Sequence, residues 1–231
     1  MRRSVLITGA SRGIGRARAK VYQAGGDRIA ITYHSASAPD GFLSVPCDIT
    51  QPDGVGATFA TIEEQHGPVE VLVSNDGSTR DKLLLALSED GFTSVLETSL
   101  TDAYRVAKLA TCRMIRLREG RILFISSTSA LYGQVGPSGY TASKTGLIGF
   151  ARSLADELAP RSITVNALSP SLAMLNALGA EEIKGLAAQV PPGQLAHPDE
   201  IVWEALFLTS SEAANLTSQS LTVDCGAPMG H

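Results

Sequence analysis

Three side chains near the middle of the chain have the types and spacing needed to protonate an oxygen. Tyr140 and Lys144 are four residues apart in a segment with helical periodicity, so both project from one helix face. Ser127 lies upstream, at the end of an apolar run. A tyrosine can donate its phenolic proton, and a serine hydroxyl can hydrogen-bond the oxygen that receives it. Taken alone, Tyr140 and Lys144 would be better explained as an ordinary surface pair.

The ammonium group of Lys144 bears on the pKa of Tyr140. A free phenol has a pKa of about 10, and a cation about 4 Å away at an effective dielectric near 20 contributes roughly 4 kcal/mol, or about three pKa units. We therefore expect Tyr140 to titrate near neutrality. It would then protonate the alkoxide formed when a hydride reaches a carbonyl carbon, while Ser127 stabilises the charge on that oxygen.

A glycine-rich segment near the start of the chain has the composition of a phosphate-binding loop. It reads Thr8-Gly9-Ala10-Ser11-Arg12-Gly13-Ile14-Gly15 and joins an apolar run to a helical pattern. Glycines let the backbone approach a pyrophosphate, and the amides and dipole of the following helix attract phosphate. The glycines could instead serve only strand-to-helix packing. Their position directly after the first strand favours the nucleotide-binding interpretation.

Short β-branched runs alternate with longer helical patterns along the chain. The runs predicted as strands are residues 5–8, 29–32, 69–74, 121–126, 163–168 and 220–223, and the helical segments are residues 13–24, 52–66, 81–118, 139–159 and 197–209. This alternation predicts a single α/β domain over residues 1–231, with a Rossmann-type, doubly wound parallel sheet. Residues 34–41 are too few for the usual helix between the second and third strands, so we expect a turn there.

Composition excludes several classes of protein. With 231 residues and 44% hydrophobic content, the chain can bury one substantial core. Its formal net charge of -4 provides no general basic field for nucleic acid or an anionic membrane, and no run approaches the roughly 18 apolar residues of a membrane span. Cys47, Cys112 and Cys225 are odd in number and lack metal-ligand spacing. They predict reduced thiols, no metal site and a cytoplasmic location.

The glycine spacing, together with the ordered serine, tyrosine and lysine, resembles the short-chain dehydrogenase/reductase family. The loop reads Gly-x3-Gly-x-Gly, one residue longer than the ordinary dinucleotide fingerprint. Ser127, Tyr140 and Lys144 match the family's catalytic residues. The similarity covers essentially the whole chain, including the Val223-Asp224 ending, and is greatest to bacterial 3-oxoacyl-acyl-carrier-protein reductases.

This resemblance implies reduction of a 3-oxoacyl thioester, linked to acyl carrier protein, to its 3-hydroxyacyl form in fatty acid biosynthesis. Another carbonyl, such as a polyketide intermediate, is an alternative substrate. The resemblance further implies a homotetramer joined partly by helices around residues 97–118 and 140–158, and a substrate lid around residues 172–196. The dimer remains an alternative to the tetramer.

The end of the second strand favours NADP(H) over NAD(H). An NAD site usually has an acid there to bind the ribose 2′-hydroxyl, whereas this chain reads Thr32-Tyr33-His34-Ser35. Arg12 could meet a 2′-phosphate, or it could simply face solvent. The cofactor-binding residues inferred from the loop and the resemblance are Gly9, Ser11, Arg12, Gly13, Ile14, Gly15, His34, Asp48, Ile49, Asn75, Gly77, Tyr140, Lys144, Pro170 and Ser171.

Several positions depart from the family pattern. Ser99 stands where the family has a fourth catalytic residue, an asparagine that holds a water of the proton relay. Asp76 replaces the alanine of an Asn-Ala-Gly segment, and Pro170-Ser171 replaces Pro-Gly in a segment that is about three residues short. These changes leave two interpretations, an NADPH-dependent reductase and a non-catalytic paralogue that binds cofactor weakly.

Basic residues before the fifth strand suggest a contact with an acidic protein. Arg118 and Arg161 match positions at which similar reductases use basic residues to bind acyl carrier protein. Arg113, Arg116 and Arg121 lie nearby in the sequence. The alternative is a solvated helix end, where cations are favoured by the helix dipole.

Overall fold

A computed structural model of the chain describes residues 2–34, 38–49, 51–171, 179–188, 190–196 and 198–226. These residues form a seven-stranded, entirely parallel sheet with the order β3-β2-β1-β4-β5-β6-β7. The strands are β1 (Ser4–Ile7), β2 (Arg28–Tyr33), β3 (Leu43–Pro46), β4 (Val71–Ser74), β5 (Gly120–Ile125), β6 (Ile163–Pro170) and β7 (Ser220–Val223). The strand order reverses direction between β1 and β4, which confirms the predicted Rossmann-type, doubly wound sheet.

Helices cover both faces of the sheet. They are α1 (Gly13–Ala24), α2 (Pro52–His66), α3 (Glu89–Leu96), α4 (Asp102–Leu117), α5 (Ser129–Tyr132), α6 (Ser138–Leu158), α7 (Ala180–Ala187) and α8 (Pro198–Leu208). Helices α2, α4 and α6 bury apolar side chains on one face, and α1 and α8 bury theirs on the other. Because both faces are covered, β1 and β4 are buried at every position, as their continuous apolar sequences predict.

The strand β3 is missing from the six runs predicted as strands. Its sequence, Leu-Ser-Val-Pro, is short and lacks a β-branched run, yet it pairs with β2 from Ala30↔Leu43 to Tyr33↔Pro46. Pro46 is tolerated because β3 is an edge strand. Residues 34 and 38–42, the described part of the connection, contain no helix, in agreement with the expected turn.

The single helix predicted over residues 81–118 is wrong. The segment contains a 3₁₀ turn (Leu84–Ala86), then α3, a π-helical turn (Glu97–Thr101) and α4. The start of α3 carries an ordinary cap, since the Ser88 hydroxyl accepts a 3.1 Å hydrogen bond from the Gly91 amide and Glu89 and Asp90 occupy the first turn. The sequence contained this start signal, whereas the π turn has no comparable one.

Within the described residues, no helix is long and apolar enough to cross a membrane. Helix α7 falls inside the range predicted for the substrate lid, and residues 172–178 and 189 of that range lie outside the described residues.

Candidate active site

The structure brings Ser127, Tyr140 and Lys144 together at the carboxyl end of β5. Ser127 follows the strand directly, and α6 presents Tyr140 and Lys144 one turn apart. The Lys144 Nζ lies 5.6 Å from the centre of the Tyr140 ring, and the Tyr140 hydroxyl is hydrogen-bonded with the Ser127 side chain. Ser127 Oγ also accepts a 3.2 Å hydrogen bond from the Ser129 amide, which holds it at the start of α5. This is the juxtaposition that the sequence spacing predicted.

Lys144 is almost completely buried. Its Nζ donates to the carbonyl oxygens of Ile125 at 2.8 Å and Asp76 at 3.4 Å. The Lys144 carbonyl in turn accepts a 2.8 Å hydrogen bond from Ser126 Oγ, which fixes α6 against the end of β5. Burial lowers the pKa of Lys144 to about 8, against the opposing attraction of Asp76, and the charge of Arg18 lowers it further.

The expectation that Tyr140 titrates near neutrality is wrong for this arrangement. The pKa of Tyr140 is raised, and burial is the main cause. A hydrogen bond with Ser127 opposes this rise, and the charge of Asp81 adds to it. The ammonium of Lys144 points at two carbonyl oxygens rather than at the phenol oxygen. Tyr140 is therefore a protonated phenol at neutral pH, ready to donate.

The glycine loop has the conformation that a phosphate-binding turn requires. Gly9 and Gly13 have φ values of 61° and 59°, a region that side chains with a Cβ rarely adopt. A Cβ on Gly15 would lie 2.8 Å from Asn75 Nδ2, so glycine is needed there for the close approach of α1 to the loop after β4. Arg12 is exposed and occupies the N-cap position of α1.

A cleft of about 640 Å³ is lined by the Ser127–Tyr140–Lys144 group and, on α1, by Ile14 and Arg18. Eight of the residues predicted from sequence line it: Ile14, Asn75, Gly77, Ser127, Tyr140, Lys144, Pro170 and Ser171. Arg18, Ser126 and Tyr132 also line it, and the sequence analysis missed them. Arg18 was detectable as a cation one turn after Ile14 on the same helix face, whereas Ser126 and Tyr132 carried no such signal.

The other residues predicted to bind the cofactor lie toward β2 and β3. The Gly9 amide donates a 3.1 Å hydrogen bond to Thr32 Oγ1, which joins the glycine loop to the end of β2, where His34 is exposed. Asp48 follows β3 and is partly buried. The side chain of Ile49 is part of the hydrophobic core, so its predicted contribution is limited to its backbone.

Ser99, proposed from the resemblance as a catalytic residue, lies within the π turn. It is 2% exposed, and its Oγ accepts a 3.3 Å hydrogen bond from the Ser78 amide. Gly77 separates the two side chains, since a Cβ built there would lie 3.0 Å from Lys144 Nζ and 3.7 Å from Ser99 Oγ. The π turn thus directs Ser99 toward the buried side of the lysine.

Comparison with known proteins decides the family. A family model described as enoyl-(acyl carrier protein) reductase matches residues 9–228. The chain belongs to the short-chain dehydrogenase/reductase family. It is 40% identical to the 3-oxoacyl-[acyl-carrier-protein] reductase MabA of Mycobacterium tuberculosis, over 99% of this chain and 94% of that protein. Identity to the reductase of the same name from Mycobacterium avium is 39%, over 99% of this chain and 91% of that protein. The 3-oxoacyl-[acyl-carrier-protein] reductase FabG of Escherichia coli is 37% identical, over 97% and 96% respectively.

Membership of the short-chain dehydrogenase/reductase family confirms the resemblance drawn from the glycine loop and the Ser-Tyr-Lys group. The chain is an oxidoreductase by family. The match runs from Gly9 in the loop to beyond β7, so Asp76 and Ser99 both lie within the matched range.

Asp76 places a carboxyl group against the glycine loop. Its Oδ1 lies 2.2 Å from the position that a Cβ on Gly9 would occupy, and its Oδ2 is shut off from solvent with no hydrogen-bond partner. Burial raises the pKa of Asp76 to about 6, although a hydrogen bond with Thr8 and the charges of Lys144 and His34 oppose this. The carboxylate is therefore held in an environment that disfavours its charge.

Replacing Asp76 with asparagine is expected to stabilise the protein at pH 8 by on the order of 2 kcal/mol, and by much less at pH 4.5. The native pKa of Asp76 lies above that of an unfolded aspartate, so the native state binds more protons between about pH 4 and 6 and loses stability as the pH rises through that window. Urea unfolding at both pH values measures the difference. Asp40→Asn, at an exposed position, is the control and should leave the free energy of unfolding unchanged at both pH values. An equal effect of Asp76→Asn at both pH values would contradict the assignment.

Arg118 and Arg161 lie far from the cleft of their own chain. Arg118 follows α4 just before β5, and Arg161 precedes β6. Both therefore lie at the amino-terminal ends of these strands, where Gly120 pairs with Ile163. Ser127 follows the opposite end of β5, which is roughly 20 Å long. Both arginines are exposed, whereas Arg113 pairs with Glu63 at 2.7 Å. The two arginines do not join the cleft within one chain.

Proposed function

We propose that the protein catalyses the NADPH-dependent reduction of a 3-oxoacyl thioester, carried by acyl carrier protein, to the 3-hydroxyacyl form. The observation that carries this proposal is the grouping of Ser127, Tyr140 and Lys144 in a cleft that Ile14 and Arg18 of α1 also line. The names of the relatives at 37–40% identity supply the substrate class.

The residues of the cleft divide the reaction between them. Ser127 donates a hydrogen bond to the substrate carbonyl and stabilises the charge that develops on its oxygen. Tyr140, which remains protonated at neutral pH, donates its proton to that oxygen. Lys144 is a buried cation near the Tyr140 ring and stabilises the phenolate left behind. A bound nicotinamide supplies the hydride that reduces the carbonyl carbon.

The residues present fit a nicotinamide dinucleotide. Gly9 and Gly13 have the backbone conformation of a phosphate-binding loop, and no atom lies within 4 Å of a Cβ built on Gly13, which leaves room for a phosphate. The first-turn amides of α1 would bind the diphosphate, and Arg12 and His34 are exposed where a 2′-phosphate would lie. This end of β2 carries no carboxylate to bind a 2′-hydroxyl, so NADP(H) is favoured over NAD(H).

We expect NADPH to bind with a dissociation constant in the micromolar range, NADH to bind at least several-fold more weakly, and an acetoacetyl thioester to be reduced. Nicotinamide fluorescence measures binding, and the loss of NADPH absorbance measures turnover. If neither cofactor binds, the reductase proposal is wrong. Tighter binding of NADH would overturn the cofactor preference alone.

The carrier contact is proposed to involve Arg118 and Arg161 of a neighbouring copy of the chain. Within one chain, both lie at the amino-terminal ends of the strands, whereas the cleft lies at the carboxyl-terminal ends. Helix α4 leaves Tyr104, Ile115 and Leu117 exposed, which supports an assembly through this helix. In a homotetramer, Arg118 and Arg161 of one chain would lie near the cleft of another chain.

Charge reversal at both positions, Arg118→Glu with Arg161→Glu, is expected to raise the KM for an acyl-carrier substrate about tenfold or more, because acidic carrier surfaces would be repelled. The KM for a small acetoacetyl thioester should stay within twofold. Lys20→Glu, which reverses an exposed cation on α1 outside the helices expected to join the subunits, is the control. Unchanged carrier-linked turnover would refute the contact.

A second function is favoured by Ser99 and Asp76. Ser99 lacks the amide of the family's asparagine, and the Asp76 carboxylate faces the loop that would bind an anionic cofactor. On this interpretation the protein is a paralogue that keeps the fold and binds cofactor weakly. The binding and turnover measurements above distinguish the two functions.

A further inference from the structure

Arg18 is a buried arginine with unused hydrogen-bonding capacity. It lies on α1, one turn after Ile14, is 1% exposed and forms part of the cleft wall. Its Nη1 donates to Asn75 Oδ1. Its Nε and Nη2 are shut off from solvent and have no hydrogen-bond partner. Two of the three nitrogen atoms of a buried guanidinium therefore lack acceptors, which is energetically unfavourable.

Within the part of the chain that the structure describes, no carboxylate pairs with Arg18. Burial lowers the pKa of Arg18 to about 10, so the side chain is still a cation at neutral pH. Among the described residues, the group found to oppose this lowering is the hydroxyl of Tyr22, whose own pKa is raised to about 12 by burial. The pKa of the nearby Lys144 is lowered mainly by burial, and the charge of Arg18 adds to this lowering, while the charge of Asp76 opposes it. Asp76 thus offsets the charge of Lys144, and the charge of Arg18 is not offset in the same way.

The same helix begins in the glycine loop. The first turn of α1 borders the cleft through Ile14, and the amino end of this helix carries free backbone amides and the positive end of the helix dipole. An anion bound there would lie about one helical turn from the start of the Arg18 side chain, across protein of low dielectric, where the attraction between opposite charges is strong. Both features of α1, its amino end and Arg18, favour one negatively charged ligand.

We propose that Arg18 is a buried counter-ion for the diphosphate of the dinucleotide that binds in this cleft. The inference rests on the proposed function for the identity of the ligand, and on the unpartnered guanidinium for the site. Arg18 acts on affinity through charge, in addition to the backbone amides of the loop. The side chain therefore lowers the stability of the protein without ligand and raises the affinity of the protein for ligand.

These two effects have opposite signs, which a purely structural role would not produce. Arg18→Met replaces the guanidinium with an apolar chain of similar length. Since an apolar side chain in place of an unpaired buried charge is often stabilising, the variant is expected to unfold at a higher temperature than the wild type. It is also expected to bind NADPH at least tenfold more weakly. Arg16→Met removes an exposed cation from the same helix and should change both values little.

The experiment measures thermal unfolding of the full chain alone, with NADPH and with inorganic pyrophosphate, for the wild type, Arg18→Met and Arg16→Met. The proposal expects a higher unfolding temperature for Arg18→Met alone and a smaller rise with either ligand. It is overturned if Arg18→Met binds both ligands as tightly as the wild type, or if it unfolds at a lower temperature. Arg18-dependent binding of pyrophosphate without NADPH binding would support the counter-ion and refute the proposed function. NADPH binding that does not depend on Arg18 would support the proposed function and refute the counter-ion. If neither ligand binds, both the counter-ion and the proposed function are refuted.

Discussion

Replacing Tyr140 with phenylalanine is expected to lower kcat for reduction of an acetoacetyl thioester by about 10²–10⁴-fold, while the affinity for NADPH stays within about threefold. The variant keeps the ring beside Lys144 and removes the hydroxyl that meets Ser127. Because burial raises the pKa of Tyr140, the phenol is protonated at neutral pH, as the proposed proton donor must be. Steady-state kinetics, with cofactor binding measured by fluorescence, separates the loss of chemistry from a loss of binding.

Tyr132 provides the matched control for Tyr140. It lines the same cleft, but its hydroxyl is hydrogen-bonded with Asp224 Oδ2 at 3.3 Å, and among the described residues no hydrogen bond joins it to Ser127 or Lys144. Tyr132→Phe is therefore expected to change kcat by less than about threefold. If the two phenylalanine variants lose activity equally, or if Tyr140→Phe keeps more than a tenth of the wild-type kcat, proton donation by Tyr140 is excluded.

Replacing Gly9 with alanine is expected to destabilise the protein by about 3 kcal/mol and to abolish NADPH binding at micromolar concentrations. Two costs combine at this position. The φ of 61° is unfavourable for any residue with a Cβ, and that Cβ would lie 2.2 Å from Asp76 Oδ1 and 3.3 Å from Asp76 Cα. Relief of the contact requires movement of Asp76 and of the loop. Urea unfolding measures the loss of stability.

A variant at Gly13 distinguishes the cost of backbone strain from the cost of the contact with Asp76. Gly13 has almost the same φ as Gly9, 59°, but no atom lies within 4 Å of its Cβ position. Gly13→Ala is expected to lose about 1–2 kcal/mol from backbone strain alone. Gly9→Ala is expected to cost less stability when it is introduced into Asp76→Ala than when it is introduced into the wild type. An equal cost in both backgrounds would show that the contact with Asp76 has no energetic effect.

The fold was predictable where the chain alternates between buried apolar runs and helical periodicity. That alternation identified the doubly wound sheet and six of its seven strands. It could not identify β3, because a short edge strand buries little and needs no continuous apolar run. The subdivision of residues 81–118 depends on tertiary packing, since helical periodicity continues on both sides of the π turn.

The site was predictable where spacing alone determines geometry. The interval of four residues on α6 and the glycines after β1 placed Tyr140, Lys144 and the loop correctly. The direction in which the pKa of Tyr140 shifts was not predictable, because the shift depends on burial and on where the Lys144 ammonium points. The unpaired state of Arg18 likewise became visible only when the residues around it had positions.

The π turn between α3 and α4 accommodates one residue more than an α-helical turn, and each of its residues advances the helix by a smaller angle. Deleting one residue from Glu97–Thr101 would therefore restore an α-helical turn and leave α3 and α4 in nearly the same relative orientation. Phe92 on α3 would keep its contact with Gly139 of α6, where a Cβ would lie 3.2 Å from the Phe92 ring. Helix packing thus does not require the extra residue, whose effect is confined to the side chains of the π turn, including the one at position 99.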